Sequence, residues 1–206
     1  SAWACSASAT FFAYALTPNL SGGKPPVFEN SRRAQRYASG DFFNRLDQKV
    51  MPDFLTVLDD PLQTRYMDRA LMGSYRYDQE GIAAQKVVLV ENGILKNFLM
   101  SRTPMKGFNR SNGHGRGLPW RALDARPGCL YVTGKATPFK ELWEKFLDIC
   151  RDEGLEEGYF ITALGPPIQP PSSSGDMIIF SFSSGDSREK NTLAVYGAYR
   201  VNVSSG

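Results

Sequence analysis

The chemistry open to this sequence is bounded by its scarcest side chain: among 206 residues there is one histidine, His114. A catalytic zinc is usually held by two or three imidazoles, or by imidazoles with a carboxylate or thiolate. The three cysteines, Cys5, Cys129 and Cys150, form no Cys-x-x-Cys pair. No metal site built by this chain alone is therefore expected. A Ser-His-Asp arrangement would have to use His114, and no Gly-x-Ser-x-Gly elbow is present to carry the serine. His114 lies in Asn112-Gly113-His114-Gly115-Arg116-Gly117. That run lacks the Gly-Lys-Ser/Thr ending of a phosphate-cradling loop, and its glycines miss the dinucleotide spacing. Flanked by glycines beside Arg116, His114 is a candidate contact for a peptide carboxylate, and a surface or turn histidine is the plainer alternative. Asp78 and Glu80, within Tyr77-Asp78-Gln79-Glu80-Gly81, read as a turn with solvated carboxylates rather than an acid pair.

Composition narrows the classes further. Lys and Arg number 24 against 21 Asp and Glu, a net charge of +3, and the short basic run Ser31-Arg32-Arg33-Ala34-Gln35-Arg36 reads as a solvated loop. No direct nucleic-acid binding is expected, because phosphate binders cluster their cations on one face. With 42% hydrophobic and 12% aromatic residues the chain carries enough large side chains to offset its ordering entropy. An odd cysteine count at wide spacing points to reduced, buried thiols and a cytoplasmic setting. The longest nearly apolar run, Ala9 to Leu16, is too short to cross a bilayer, so neither a membrane span nor an export leader is expected.

The elements that would position these residues follow from periodicity and punctuation. Ala7 to Leu16 reads as an apolar helix stopped by Pro18, and residues 21–40 as a long surface excursion. Asp41 is placed to cap a short helix through Val50 with Phe42, Phe43, Leu46 and Val50 on its apolar side. Asp53 to Leu58 reads as a buried strand that Asp59-Asp60-Pro61 ends. The clearest element is a hairpin, Lys86 to Val90 and Ile94 to Met100 joined through Glu91-Asn92-Gly93, because Asn-Gly supplies the positive φ values of a tight reversal. Cys129 to Thr133 is a short strand. Thr137-Pro138 opens a helix whose Phe139, Leu142, Trp143, Phe146, Leu147 and Cys150 form an apolar stripe, with Gly154 placed to end it in a left-handed conformation. Tyr159 to Leu164, Met177 to Phe182 and Leu193 to Val201 are three more strands, with Gly197 marking a bulge. Gly165 to Gly175, rich in proline and serine, is a loop that excludes helix and central strand. The expected fold is one α+β domain over residues 1–206, mainly antiparallel sheet with a few helices packed on it. Its parts are a helix and long loop in 1–40, a sheet and helix core in 41–164, a Pro/Ser-rich loop in 165–176 and terminal strands in 177–206.

Three ordered motifs carry a family resemblance. Tyr77-Asp78-Gln79-Glu80-Gly81-Ile82-Ala83-Ala84-Gln85, the hairpin from Val90 to Leu99, and the run from Ser101-Arg102-Thr103-Pro104 to Ser111-Asn112-Gly113-His114-Gly115-Arg116 resemble the TldD/PmbA family, also called modulators of DNA gyrase. The likeness extends through Val50 to Pro61 and the helix after Thr137, over most of residues 10 to 200. The resemblance implies a cytoplasmic zinc peptidase system in which a metal-bearing subunit pairs with a similar metal-free one and an unfolded peptide is threaded to the site. The family's metal comes from a His-Glu-x-x-x-His helix, and the matching helix here runs from Phe11 to Gly22. Ala13 stands at the first histidine, Tyr14 at the glutamate and Pro18 at the second histidine. A methyl group donates no electron pair, a phenol is a poor general base, and proline presents no side-chain donor. The family's further cysteine ligand would fall towards the C-terminus, where no cysteine follows Cys150. The chain thus resembles a central piece of a longer family member.

On this basis the expected function is that of a metal-free, non-catalytic subunit that binds an unfolded or extended peptide or a partner, with no cofactor or metal of its own. Homodimeric pairing or pairing with a homologous subunit is the expected assembly. An exposed strand edge can take an extended peptide as an added strand. The Glu91-Asn92-Gly93 hairpin and the 101–116 loop, with Asn112, His114 and Arg116, are the candidate wall, against the alternative that both are ordinary scaffold. Two other functions remain open. One is an active zinc metallopeptidase whose ligands come from a partner or from regions outside this chain. The other is a structural or gyrase-associated module.

Overall fold

In a computed structural model the chain is described over residues 2–22, 42–105, 107–117, 123–167, 179–183 and 190–203. Its contacts divide into two compact units: Ala15–Gly134 with Ser183–Lys190, and Ser1–Tyr14 with Lys135–Phe182 and Asn191–Gly206.

The first unit is built on β1 (Ser21–Gly22), β2 (Leu55–Asp59), β3 (Arg65–Tyr66), β4 (Arg69–Ala70), β5 (Val87–Glu91), β6 (Ile94–Leu95), β7 (Leu99–Met100), β8 (Gly115–Arg116), β9 (Asp124–Ala125) and β10 (Leu130–Gly134). Its central sheet has the order β10-β2-β5-β6, antiparallel throughout. The hairpin forms as expected: Asn92 and Gly93 take φ values of 48° and 77°, the left-handed pair a two-residue reversal requires. Gly93 is obligatory on space as well, since a methyl there would lie 2.8 Å from the Pro52 carbonyl oxygen.

The second arm is shorter than expected. After Leu95 the amides of Lys96 and Asn97 both donate to the Leu89 carbonyl, and the Asn97 side chain donates to Val88. The chain is thereby turned out of the hairpin, so that Leu99–Met100 pairs in parallel with Ser21–Gly22. Residues 21 and 22 are accordingly strand rather than the start of a loop; the remainder of the expected 21–40 loop lies outside the described residues. Val57, Leu89, Val90, Leu95, Phe98, Leu99 and Met100 form the buried core, joined by Leu20.

The expected helix from Asp41 to Val50 does not form. Residues 42–50 make turns, with Asp47 at φ 59°. Asp47 N donates to Leu95 O, while Val50 N and Met51 N donate to Gly93 O. Backbone pairing with the hairpin has replaced the local i to i+4 bonds that the apolar spacing favoured. Asp41 itself lies outside the described residues.

The helix α1 (Ala2–Phe11) runs into a π-helical turn, Phe12–Leu16, and then α2 (Thr17–Leu20). Pro18 therefore does not stop the helix. It sits in the first turn of α2, where its missing N–H leaves no bond unmade.

In the second unit α3 (Phe139–Asp152) ends with Gly154 at φ 66°, as expected. Pro138 rather than Thr137 occupies its N-cap, with no side-chain cap bond. Its stripe is only partly core: Leu147 and Cys150 are buried, whereas Phe139 and Leu142 are exposed. Phe139, Trp143, Phe146 and Phe160 make an aromatic cluster with centroid spacings of 5.6 to 5.9 Å.

The sheet of this unit has the order β11-β13-β12, antiparallel where β11 meets β13, with β11 (Glu157–Pro167), β12 (Ile179–Ser183) and β13 (Lys190–Asn202). A register shift falls at Gly197, where Ala163 pairs after Thr162 is skipped. The strand β11 continues through Gly165-Pro166-Pro167, against the expected loop; as an edge strand it tolerates prolines that a central strand would not. Residues 168–178 lie outside the described residues. Few helices and mostly antiparallel sheet make the fold α+β, as the residues implied. No helix among the described residues is long and apolar enough to cross a membrane.

Candidate functional site

A buried polar arrangement forms where the end of β2 meets the glycine-rich run. Alternation along β2 puts Val57 and Asp59 on the buried face. Asp59 is thus the last residue of the strand, fully buried, and not the start of the stop that Asp59-Asp60-Pro61 suggests. Its Oδ2 accepts from the Gly128 amide at 3.0 Å and lies 2.9 Å from His114 Nε2. His114 is also fully buried, so it is neither a surface histidine nor an accessible contact for a peptide carboxylate. Its Nδ1 lies 3.0 Å from Asn112 O and 2.9 Å from Asn112 Oδ1. Asn112 is itself fixed: its Nδ2 donates to Phe98 O, and its Oδ1 accepts from Met100 N.

The glycines of the 112–117 run offer no cradle for an anion, because their amides are already used. Gly113 N donates to Ser111 Oγ, His114 N to Met100 O, Gly115 N to Asp78 Oδ2 and Gly117 N to Gln79 Oε1. Asp78 does form the expected turn, its Oδ1 accepting from Glu80 N and Ile82 N. It is buried rather than solvated, however, because the second oxygen is spent on Gly115. Glu80 accepts from Arg102 N at 2.6 Å and so ties down the start of the 101–116 segment.

Tyr75 closes the arrangement. Its hydroxyl donates to Gly113 O at 2.9 Å, its ring meets His114 edge to face, and the Arg116 guanidinium lies 4.6 Å from its centroid. Burial, then the Asp59 carboxylate, pushes the Tyr75 hydroxyl well above the ordinary phenol range, so it stays a donor at neutral pH.

Cys129 lies beside this group, its sulfur 3.9 Å from Gln63 O. Burial first, then the Asp59 and Asp60 carboxylates, push its thiol up. The thiolate is the reactive form. Alkylation of the native chain by iodoacetamide at neutral pH should therefore leave Cys129 largely unmodified, while the urea-unfolded chain is labelled fully. Equal labelling in both states, read by mass spectrometry, would refute the burial.

Of the residues singled out beforehand, Asn112, His114 and Arg116 are brought together. Glu91, Asn92 and Gly93 are not. Gly93 N donates to Leu55 O, at the opposite end of β2 from Asp59, about 13 Å away at the rise of a strand. Nor does the hairpin present a free edge, since residues 47–51 take up the outer side of β6. Asp59 and Tyr75 were missed as site residues. The parity of Asp59 with Val57 was the one local signal for its burial.

Comparison with known proteins fixes the lineage. A family model described as the PmbA/TldA metallopeptidase C-terminal domain matches residues 26–176. The chain belongs to the PmbA/TldD family. A metalloprotease of Archaeoglobus fulgidus is 33% identical over 108 residues, 52% of this chain and 23% of that protein. A zinc metalloprotease TldD homolog of Saccharolobus solfataricus is 26% identical over 149 residues, 71% of this chain and 30% of its own length. The chain thus spans less than a third of these relatives. The crystal structure of TldE from Thermococcus kodakarensis shares the fold with a TM-score of 0.55 at 20% identity, covering 96% of this chain and 37% of that one.

The family description implies a metal, and the residues at the resemblance-assigned positions do not fit one. Ala13, Tyr14 and Pro18 are exposed, and none offers zinc an imidazole or carboxylate. The family-model match begins beyond them, at residue 26. Among the described residues no three His, Cys, Asp or Glu side chains are grouped as metal ligands.

Proposed function

We propose that this chain is a metal-free, non-catalytic member of a PmbA/TldD-type peptidase system that serves as a peptide-binding or partner component beside a metal-bearing homologue. The observation that carries this reading is the donor chemistry of Ala13, Tyr14 and Pro18 in the helix that resembles the family's His-Glu-x-x-x-His. Unpaired, buried Cys129 and Cys150 support a reducing, cytoplasmic setting.

Among the predicted contacts, the side chains left open to a peptide are Glu91 and Asn92, which are exposed, and the half-exposed Arg116. Asn112, also half-exposed, has its amide engaged by Phe98 and Met100, and the buried His114 ring lies edge to face against Tyr75, on which Arg116 is stacked. The strand edge available to an extended peptide is that of β10, the terminal strand of its sheet, on whose outer side no described residue pairs. Main-chain pairing there would be largely independent of peptide sequence.

The experiment is reconstitution. The chain is purified alone and with a co-purifying homologous subunit, and hydrolysis of an unfolded protein is followed in each case. The expected result is no cleavage by the chain alone and chelator-sensitive cleavage by the pair. Chelator-sensitive cleavage by the isolated chain would overturn the proposal.

A further inference from the structure

The hairpin formed by β3 and β4 serves neither the core nor the buried polar site. Residues 62–70 are all exposed. The arm is nevertheless well bonded: Arg65 pairs with Ala70 and Tyr66 with Arg69, Leu71 N donates to Thr64 O, and Tyr75 N donates to Pro61 O at its base. The Tyr66 ring lies 6.0 Å from that of Tyr131, which ties the arm to β10. Met67 and Asp68 make the reversal, and Met67 takes φ 50° at the position a two-residue turn ordinarily gives to glycine. A methionine there costs strain, and its side chain, 82% exposed, returns no packing to this chain. Met72 is 96% exposed, and Leu62 and Tyr66 are about half exposed. Apolar side chains scattered singly over a surface are ordinary, whereas several on one short arm mark a contact surface.

Charge accompanies them. Arg65 and Arg69 flank Tyr66 and Met67; the Arg65 guanidinium donates to the Asp68 carbonyl, and neither arginine forms an ion pair with a described residue.

A surface of the opposite character lies on α3, in the second unit. Leu142 and Ile149, two helical turns apart on one line of the helix, are both exposed. Asp152 neighbours Ile149 on that line, and Glu153, Leu155 and Glu156 follow, all exposed. The C-terminal end of a helix is the negative end of its dipole, so acids there cost stability and cations are favoured. The last turn of α3 carries one cation, Arg151, which is paired with Asp148. Asp152, Glu153 and Glu156 form no ion pair with a described residue. A helix end made acidic against its own dipole, with Ile149 and Leu155 exposed beside the acids, suits a partner that is cationic and apolar.

We propose that the arm of one copy of this chain docks on the C-terminal end of α3 of a second copy, with Met67 and Met72 against Ile149 and Leu155 and Arg69 facing Asp152. Methionine, unbranched and flexible, fits an irregular surface of this kind. A contact of so few side chains is small, which makes the association weak and sensitive to salt. The contact goes beyond the peptidase reading and does not depend on whether the chain is metal-free.

Light scattering on size-exclusion eluates of the untagged chain, over a concentration series at low and high salt, reads the association. The native chain is expected to exceed the mass of one copy at high concentration and low salt, and to fall towards it as salt is raised. Arg69→Glu and Asp152→Lys should each weaken self-association by about tenfold or more. The first lies on the exposed arm and the second suits the helix dipole, so both keep the fold; Met72→Ser is a second arm variant should Arg69→Glu misfold. Mixed in equal amounts, Arg69→Glu and Asp152→Lys bring a native arm to a native helix end and a reversed arm to a reversed one. Association should then return to within about threefold of the native value. A native chain that stays a single copy at every concentration overturns the proposal, as do single variants that associate like the native chain or a mixture that gains nothing.

Discussion

Replacing Asp59 with alanine is expected to destabilise the first unit by about 3 to 5 kcal/mol, the cost of leaving one member of a buried, hydrogen-bonded pair without the other. Both side chains are fully buried, so no water is at hand to replace the lost carboxylate. The truncation also strands the Gly128 amide, which donates to the same oxygen. Against a total stability of about 5 to 15 kcal/mol this is a large fraction. Asp59→Asn, which keeps an oxygen for Nε2 and for Gly128, should cost clearly less. Urea unfolding followed by circular dichroism separates the two. If Asp59→Ala unfolds within about 1 kcal/mol of the native chain, the pair is not a structural latch.

The second large effect is expected at Gly113. It sits at φ 76°, and an added methyl would run into the Ala83 carbonyl oxygen and lie 2.8 Å from the Ala84 Cα. Both obstacles are backbone, which cannot swing aside. Left-handed strain and overpacking together make Gly113→Ala worth about 3 to 5 kcal/mol. Gly81 has the same φ of 76° but nothing within 4 Å of the added methyl. Gly81→Ala should therefore cost only the strain, about 1 kcal/mol. Equal losses at the two positions would show that close approach of the 113 and 83 backbones contributes nothing.

How much of this was legible in the residues depends on the range of the interactions. The Asn92-Gly93 reversal is local, and two residues dictate it. The helix from Phe139 and the strands around Tyr159, Phe182 and Val195 also follow from short-range pattern. Residues 42–50 carry a helical spacing of apolar side chains, yet the backbone is drawn into bonds with Gly93 and Leu95, more than forty positions along the chain. No local period reports such a partner. Pro18 does not end the helix, because it follows a π-helical turn and sits in the first turn of a new α-helical segment.

The candidate site was harder still to read. Asp59 and His114 are separated by 55 positions. An acid followed by Asp60 and Pro61 has the composition of a turn, and a histidine between glycines has that of a loop. The two are buried against each other, a relation that appears once the sheet is assembled. Asp78 shows the intermediate case: the turn around it is local and was foreseen, while its burial depends on Gly115.

The proposed metal-free role requires that this chain bring no zinc ligand set of its own to the family's chemistry. Elemental analysis of the purified, untagged chain, after dialysis against zinc-containing buffer and removal of free metal, tests it most directly. Zinc far below one ion per chain is expected. One equivalent retained by the isolated chain would contradict it.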